Sequence, residues 1–188
     1  MSDYAVRAAR RAFYALSTHI DHQLRVVLGT LREQKLLENT VMLFTSDHGD
    51  MLGKHGLWAK KLYYEESARV PMILAGTADG EEIECDSVDN RLVGWQDIMP
   101  TLLQLAGIPI PESVQGQSML SNTRRDMLYG ELGCGARATR MVHVGRYKLI
   151  YYPAGNQLQL FDLEDDPEEL VDIAGHAEAA AQRADMEK

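Results

Sequence analysis

The chain has 188 residues, 45% apolar and 25% charged, and its 19 basic against 28 acidic residues give a formal net charge of −9. That balance argues against nucleic acid or an anionic membrane as partner, since basic surface reads both. No apolar run approaches the roughly 18 residues that cross a bilayer; two cysteines, Cys85 and Cys134, can neither build a disulfide framework nor fill a four-ligand zinc site.

Met1-Ser2-Asp3-Tyr4 lacks the basic-then-apolar layout of a signal peptide, which, as the chain stands, points to the cytoplasm. Residues 1–38 then read as one long helix: Phe13, Leu16, Ile20, Leu24, Val27, Leu28 and Leu31 recur at spacings of three and four and share a face. Ser2 or Asp3 can cap its start and Asn39 can supply a left-handed stop. Such a helix with one apolar stripe should pack on something large. Val41-Met42-Leu43-Phe44 and Pro71-Met72-Ile73-Leu74-Ala75 are unbroken apolar runs, the pattern of strands buried on both faces in a parallel sheet covered by helices. The acidic stretch from Thr77 to Asp89 reads as surface loop. Asp97 can cap a helix through Ile98, Leu102 and Leu105, which Gly107, Pro109 and Pro111 end.

A change of character places a boundary near residue 112, between an α/β part (1–112) and a small antiparallel α+β part (113–188). Four short strands are expected over Met127–Leu132, Thr139–Val144, Tyr147–Tyr152 and Gln157–Leu163, with Gly145-Arg146 as a two-residue hairpin turn. Asp166-Pro167-Glu168-Glu169 has the cap, the proline and the acids of a helix start.

Chemistry concentrates after the first strand, where ligand sites of open α/β sheets lie. Thr45-Ser46-Asp47-His48-Gly49-Asp50 offers a carboxylate beside an imidazole, suited to Ca²⁺ or Mg²⁺ through oxygen, with Mn²⁺ or Fe²⁺ admitted by the nitrogen. Gly49 and Gly53 let backbone approach an ion or anion closely. Lys54, His55, Lys60 and Lys61 place four potential cations within eight positions of an acidic chain, a local preference for an anion. Taken alone, an Asp-His-Gly turn is more often a turn than a ligand pair, and a lysine cluster is usually a solvated face. His19 and His22 fit an exposed helix face, and His143 and His176 have no partner pattern. His55 is either a group near the anion or a loop residue. Trp58, Tyr63 and Tyr64 suit core packing or a cleft wall, and Arg69 an ion pair.

The order of these segments resembles the sulfatase family of the alkaline-phosphatase-like superfamily, in the look of its choline sulfatase, iduronate sulfatase and phosphonate monoester hydrolase branches. Ser46-Asp47-His48-Gly49 through Leu57-Trp58-Ala59-Lys60 to Arg69-Val70-Pro71 carries most of the likeness. Asp97-Ile98-Met99-Pro100-Thr101-Leu102-Leu103 and Tyr147-Lys148-Leu149-Ile150, with Leu160-Phe161-Asp162-Leu163 and Asp166-Pro167-Glu168, extend it along nearly the whole chain, as does Ala12-Phe13-Tyr14-Ala15-Leu16 with Ile20-Asp21.

The resemblance implies an α/β fold: the C-terminal part of an alkaline-phosphatase-like sandwich, with parallel strands and flanking helices, plus a small antiparallel subdomain. It implies Asp47 and His48 as ligands of one divalent cation, calcium first and Mn²⁺ or Mg²⁺ as alternatives, held weakly by two ligands alone. It implies Lys60 on the sulfate oxygens or the bridging oxygen, with His55 as a further substrate contact, and a sulfate ester or related anion as substrate. The family's nucleophile, a formylglycine made from C-x-P-x-R or C-x-A-x-R, has no match. In Cys134-Gly135-Ala136-Arg137-Ala138 the arginine comes one residue early. The family's early pair of metal-binding aspartates is absent as well, so the chain reads as less than half of a full sulfatase and as inactive alone. A phosphonate or phosphate ester hydrolase fragment, and a non-catalytic remnant that binds a metal or anion or self-associates, are the other readings. A cut parallel sheet would favour a homo-oligomer or a missing N-terminal partner.

Overall fold

A computed structural model describes residues 1–77, 83–84 and 86–187; residues 78–82 and 85 of the expected acidic loop, Cys85 among them, lie outside the described residues. The first helix, α1 (Asp3–Glu33), starts on Ser2, whose Oγ accepts the Ala5 amide hydrogen at 3.3 Å. It ends earlier than expected. Lys35 takes the left-handed conformation (φ 56°), its amide donates to Arg32, and the Leu36 amide donates to Leu31, a Schellman closure with lysine where glycine is usual. Asn39 instead closes a 3₁₀ turn, Leu37–Asn39, that leads into the sheet. No residue of α1 is buried, and Leu16 and Val27 are more than half exposed, so its apolar stripe faces outward among the described residues. For all its length, no helix here is apolar enough to cross a membrane.

Strands β1 (Met42–Thr45) and β2 (Met72–Ala75) pair with each other, Leu43 opposite Leu74 and Phe44 opposite Ile73. Their pairing is antiparallel, which corrects the parallel arrangement expected from the apolar runs. An unbroken apolar run reports burial and carries no information about direction. Nor are both faces covered, since Phe44 and Ile73 remain 36% and 53% exposed. The link between them, residues 46–71, is the chemistry-bearing loop, with a single turn of helix, α2 (Glu65–Ala68), near its end.

Helix α3 (Ile98–Leu105) finishes on Gly107 (φ 66°) in a second Schellman closure, Gly107 to Gln104 and Ile108 to Leu103. Asp97 does not cap it. The Asp97 carboxylate turns back to accept the Gly94 and Gln117 amide hydrogens, both at 2.8 Å, and the two-pronged fork of Arg125 at 2.5 and 2.7 Å. Burial alone would raise its pKa, but the Arg125 fork and the two amides outweigh that and hold it below 3.8. A carboxyl lowered in the folded state stabilises the fold above its unfolded pKa and loses that contribution as pH falls through the folded value. Asp97→Asn is therefore expected to cost about 2 kcal/mol at neutral pH, with the gap to the parent closing in acid, in urea titrations across pH.

The C-terminal sheet is an antiparallel meander, β3 (Met127–Leu132), β4 (Thr139–Val144), β5 (Tyr147–Tyr152) and β6 (Gln157–Asp162), in that spatial order. Gly145 (φ 56°) makes the tight turn between β4 and β5. Alternation along β5 and β6 sorts two faces. Leu149 and Leu160 pack with Ala174, Ala179 and Met186 of the C-terminal segment, where the last helix, α4 (Ala180–Met186), lies. On the other face, Ile150 and Phe161 pack with Met51 and Tyr64 of the 46–71 loop. Asp166-Pro167-Glu168-Glu169 forms a turn and not the expected helix start. Glu169 takes φ 54°, and Asp166 Oδ2 accepts the Val171 amide hydrogen at 2.8 Å, which holds the chain out of helical geometry.

Candidate metal and anion site

The loop after β1 folds back on itself through three backbone bonds. The Gly49 amide donates to Ser67 at 2.9 Å, Met51 to Ala59 at 2.8 Å and Gly53 to Leu57 at 2.8 Å. The first needs glycine, because a Cβ on Gly49 would stand 1.8 Å from the Glu66 carbonyl oxygen. The second pins the peptide between Ala59 and Lys60 onto Met51, three residues past His48. Of the eight non-glycine residues with positive φ among those described, four fall within ten positions here: Leu52, His55, Ala59 and Lys61. Such conformations cost roughly 1 kcal/mol or more each and persist where surrounding structure imposes them. Lys60 thus sits between two strained neighbours, exposed.

Asp47 and His48 come together at the mouth of this loop. Asp47 Oδ1 accepts the His48 amide hydrogen at 3.1 Å, Ser46 Oγ donates to the His48 carbonyl at 2.9 Å, and Trp95 Nε1–H donates to the Ser46 carbonyl at 3.2 Å. His48 Nδ1 lies 2.8 Å from the Gly49 carbonyl oxygen, which only accepts, so Nδ1 carries the proton. In the neutral ring Nε2 then presents a lone pair 3.3 Å from Asp47 Oδ2. In that neutral form, two electron donors that close suit a cation. Asp50 Oδ1 is engaged by the Leu52 amide at 2.9 Å.

The remaining basic residues separate. Lys54 pairs with Glu66 and, at 3.6 Å, with Glu168, and the Glu66 carboxylate raises its pKa; it is not a free cation for an anion. Lys60 and Lys61 stay exposed. His55 stacks on the Tyr64 ring, centroids 4.6 Å apart, and its ligand atoms lie within 4.8 Å of those of Glu66 and Glu169. That is an acidic surround, unlike the anion-facing position considered from sequence. Arg69 reaches Glu65 at 3.6 Å, the ion pair expected of it, and Tyr64 packs in the core.

Behind this loop lies a charged cluster that the sequence reading missed. Lys148, 1% exposed, bridges Glu65 at 2.7 Å and Glu169 at 2.5 Å, and Glu169 Oε2 accepts the Glu65 amide hydrogen at 2.6 Å. A signal existed in the alternation of Tyr147-Lys148-Leu149-Ile150, which puts Lys148 on the same face as the buried Ile150.

The family model for N-sulphoglucosamine sulphohydrolase, C-terminal, matches residues 53–188. The chain is 37% identical over 180 residues to an arylsulfatase of Clostridium perfringens (strain 13 / Type A), covering 93% of itself and 37% of that protein. It is 34% identical over 190 residues to a choline-sulfatase of Rhizobium meliloti (strain 1021), covering 96% and 36%. The chain thus spans little more than a third of the curated relatives it matches. The solved phosphonate monoester hydrolase of Silicibacter pomeroyi superposes with a TM-score of 0.86 at 26% identity, over 99% of this chain and 40% of that one.

Proposed function

The chain belongs to the sulfatase family, and on that footing we propose that it supplies the cation-holding and anion-binding side of a sulfate-ester hydrolase site. In this reading Asp47 and His48 are two ligands of one divalent cation, and Lys60 meets the sulfate group. The observation that carries it is the approach of His48 Nε2 to Asp47 Oδ2 at 3.3 Å, a donor set that fits Ca²⁺ through oxygen and Mn²⁺ or Mg²⁺ as alternatives. When bound, such an ion supplies positive charge against a sulfate oxygen.

The chain's own residues do the rest. The Gly49 carbonyl fixes the His48 tautomer, Trp95 and Ser46 fix the backbone on either side of Asp47, and the strained pair Ala59 and Lys61 fixes the Cα of Lys60 between them. In this reading Lys60 supplies positive charge where negative charge grows on the leaving oxygen, the kind of contact whose removal costs about 10²–10³ in rate. The attacking group must come from outside these 188 residues, since they contain no C-x-P-x-R or C-x-A-x-R. A phosphonate or phosphate ester makes the same charge demands, and the Silicibacter neighbour keeps that second reading open.

Aryl-sulfate hydrolysis and calcium titration of the 188-residue polypeptide test the proposal together. No turnover is expected, with Ca²⁺ binding near the millimolar end of known modules and lost in Asp47→Ala. Turnover that Lys60→Ala abolishes would overturn the division of labour, and calcium binding indifferent to Asp47→Ala would overturn the ligand assignment.

A further inference from the structure

A solvent-open cavity of about 570 Å³ lies where the 46–71 loop meets the start of β6, lined by Tyr64, Tyr152, Gln157, Leu158, Gln159 and Asp172. Asp47, His48 and Lys60 take no part in it. Its size is that of a small-molecule site. Two hydroxyls and an amide converge inside: Tyr64 and Tyr152 both donate to Gln159 Oε1, at 3.1 and 2.9 Å. Burial pushes the Tyr152 phenol up, so it stays a donor. The Tyr64 ring is fixed in turn by His55 and Phe161, with centroids 4.6 and 5.8 Å away.

The hydrogen-bonding capacity left over is specific. Each phenol oxygen keeps a lone pair, and Gln159 keeps both amide hydrogens, which meet no acceptor among the described residues. Asp172 spends Oδ1 on the Leu160 and Ala174 amide hydrogens, at 3.0 and 2.9 Å, and leaves Oδ2 without a donor among the described residues. Gln157, exposed, adds a further amide at the rim.

This set rejects most ligand classes. Asp172 is the one charged group in the lining and is negative, which disfavours an anion. A single half-engaged carboxylate is too few ligands for a cation. Leu158 is the one aliphatic side chain, too little for an apolar guest. A peptide strand finds no free edge at Leu160, whose amide bonds Asp172 and whose carbonyl accepts the Ile173 amide hydrogen at 2.9 Å. Neutral hydroxyl groups remain, each of which donates and accepts at once.

We propose that this cavity binds a neutral saccharide, its hydroxyls pairing with Asp172 Oδ2, the Gln159 amide and the two phenol oxygens, and Leu158 meeting its carbon skeleton. The site stands whether or not Asp47, His48 and Lys60 hold a cation and a sulfate. Because the cavity is open and the saccharide keeps part of its water, binding in the millimolar range is expected.

The test is a titration of the isotope-labelled 188-residue chain with cellobiose and with N,N′-diacetylchitobiose, read by nuclear magnetic resonance at the side-chain amides of Gln157 and Gln159. Saturable shifts are expected with at least one of the two, and none with inorganic sulfate. Asp172→Asn keeps Oδ1 for its two backbone amides and Gln157→Ala alters an exposed side chain, so neither threatens the fold, which circular dichroism checks. Each should weaken binding by about threefold to tenfold, the worth of one hydrogen bond, while Lys60→Ala leaves it unchanged. Still signals at tens of millimolar of both disaccharides overturn the proposal. So do shifts that inorganic sulfate reproduces, shifts that neither cavity substitution weakens, and binding lost in Lys60→Ala, which would move the saccharide to the sulfate side.

Discussion

Gly49→Ala is expected to destabilise the chain by at least about 3 kcal/mol, or to prevent the 46–71 loop from closing at all. The added methyl would stand 1.8 Å from the Glu66 carbonyl oxygen and 2.9 Å from its carbon, both backbone atoms that no rotamer change can move. Relief requires separating the two arms of the loop, which sacrifices the Gly49–Ser67 hydrogen bond. Close-packed interiors do not absorb an overlap of that size. Gly29→Ala is the control, since no atom lies within 4 Å of its added Cβ and the helix gains about 0.5–1 kcal/mol. Urea midpoints for the two variants should therefore move in opposite directions. A Gly49→Ala chain as stable as its parent would mean that the two arms do not meet as described.

Lys148→Met is expected to cost about 3–5 kcal/mol at neutral pH, the usual consequence of removing one partner from a buried ion cluster. Methionine fills the space but leaves Glu65 and Glu169 facing each other without their shared cation. Burial already pushes the Glu169 carboxyl up, against the opposing pull of Lys148. A carboxyl raised in the folded state favours folding fully below its unfolded pKa and loses that contribution as pH rises through the folded value. Removing Lys148 raises it further, so the penalty should be small in acid and grow from about pH 4.5 upward. Urea unfolding of parent and variant at several pH values measures this. A penalty independent of pH would mean that packing, and not charge, is what Lys148 contributes.

Local signals in the sequence located most elements well. The four C-terminal strands fall within a residue of their expected ends because alternation and a tight Gly145 turn are encoded within a few positions. Helix α3 ends at Gly107 for the same kind of reason. Features decided by distant residues were harder to read. The antiparallel pairing of β1 with β2 depends on how residues 46–71 fold, not on the apolar runs themselves. Asp97 carries the look of a helix cap, yet Arg125, 28 positions away, draws its carboxylate elsewhere. Asp166-Pro167-Glu168-Glu169 has every local mark of a helix start and is overruled by the reach of Glu169 to Glu65. In the candidate site, Asp47, His48 and Lys60 were singled out by the resemblance carried in the order of the motifs, since an Asp-His-Gly turn or a lysine among lysines is common by itself. The Lys148 cluster was not, because its members are common charged residues that become unusual only when buried together.

The bond from the Glu65 amide to Glu169 spans 104 positions, and Tyr64 reaches Gln159 across 95. Synthesis proceeds at about 5–20 residues per second, so about 5–20 s separate the emergence of the two ends of that bond from the ribosome. Through that interval the loop bearing Asp47, His48 and Lys60 has been made but lacks the sheet face that braces it. Its apolar anchors, Met51 and Tyr64, are open to other nascent chains or to chaperones. The loop is thus made before the strands that brace it, and a ribosome stalled before residue 169 would carry its residues without the geometry that the C-terminal sheet imposes on them.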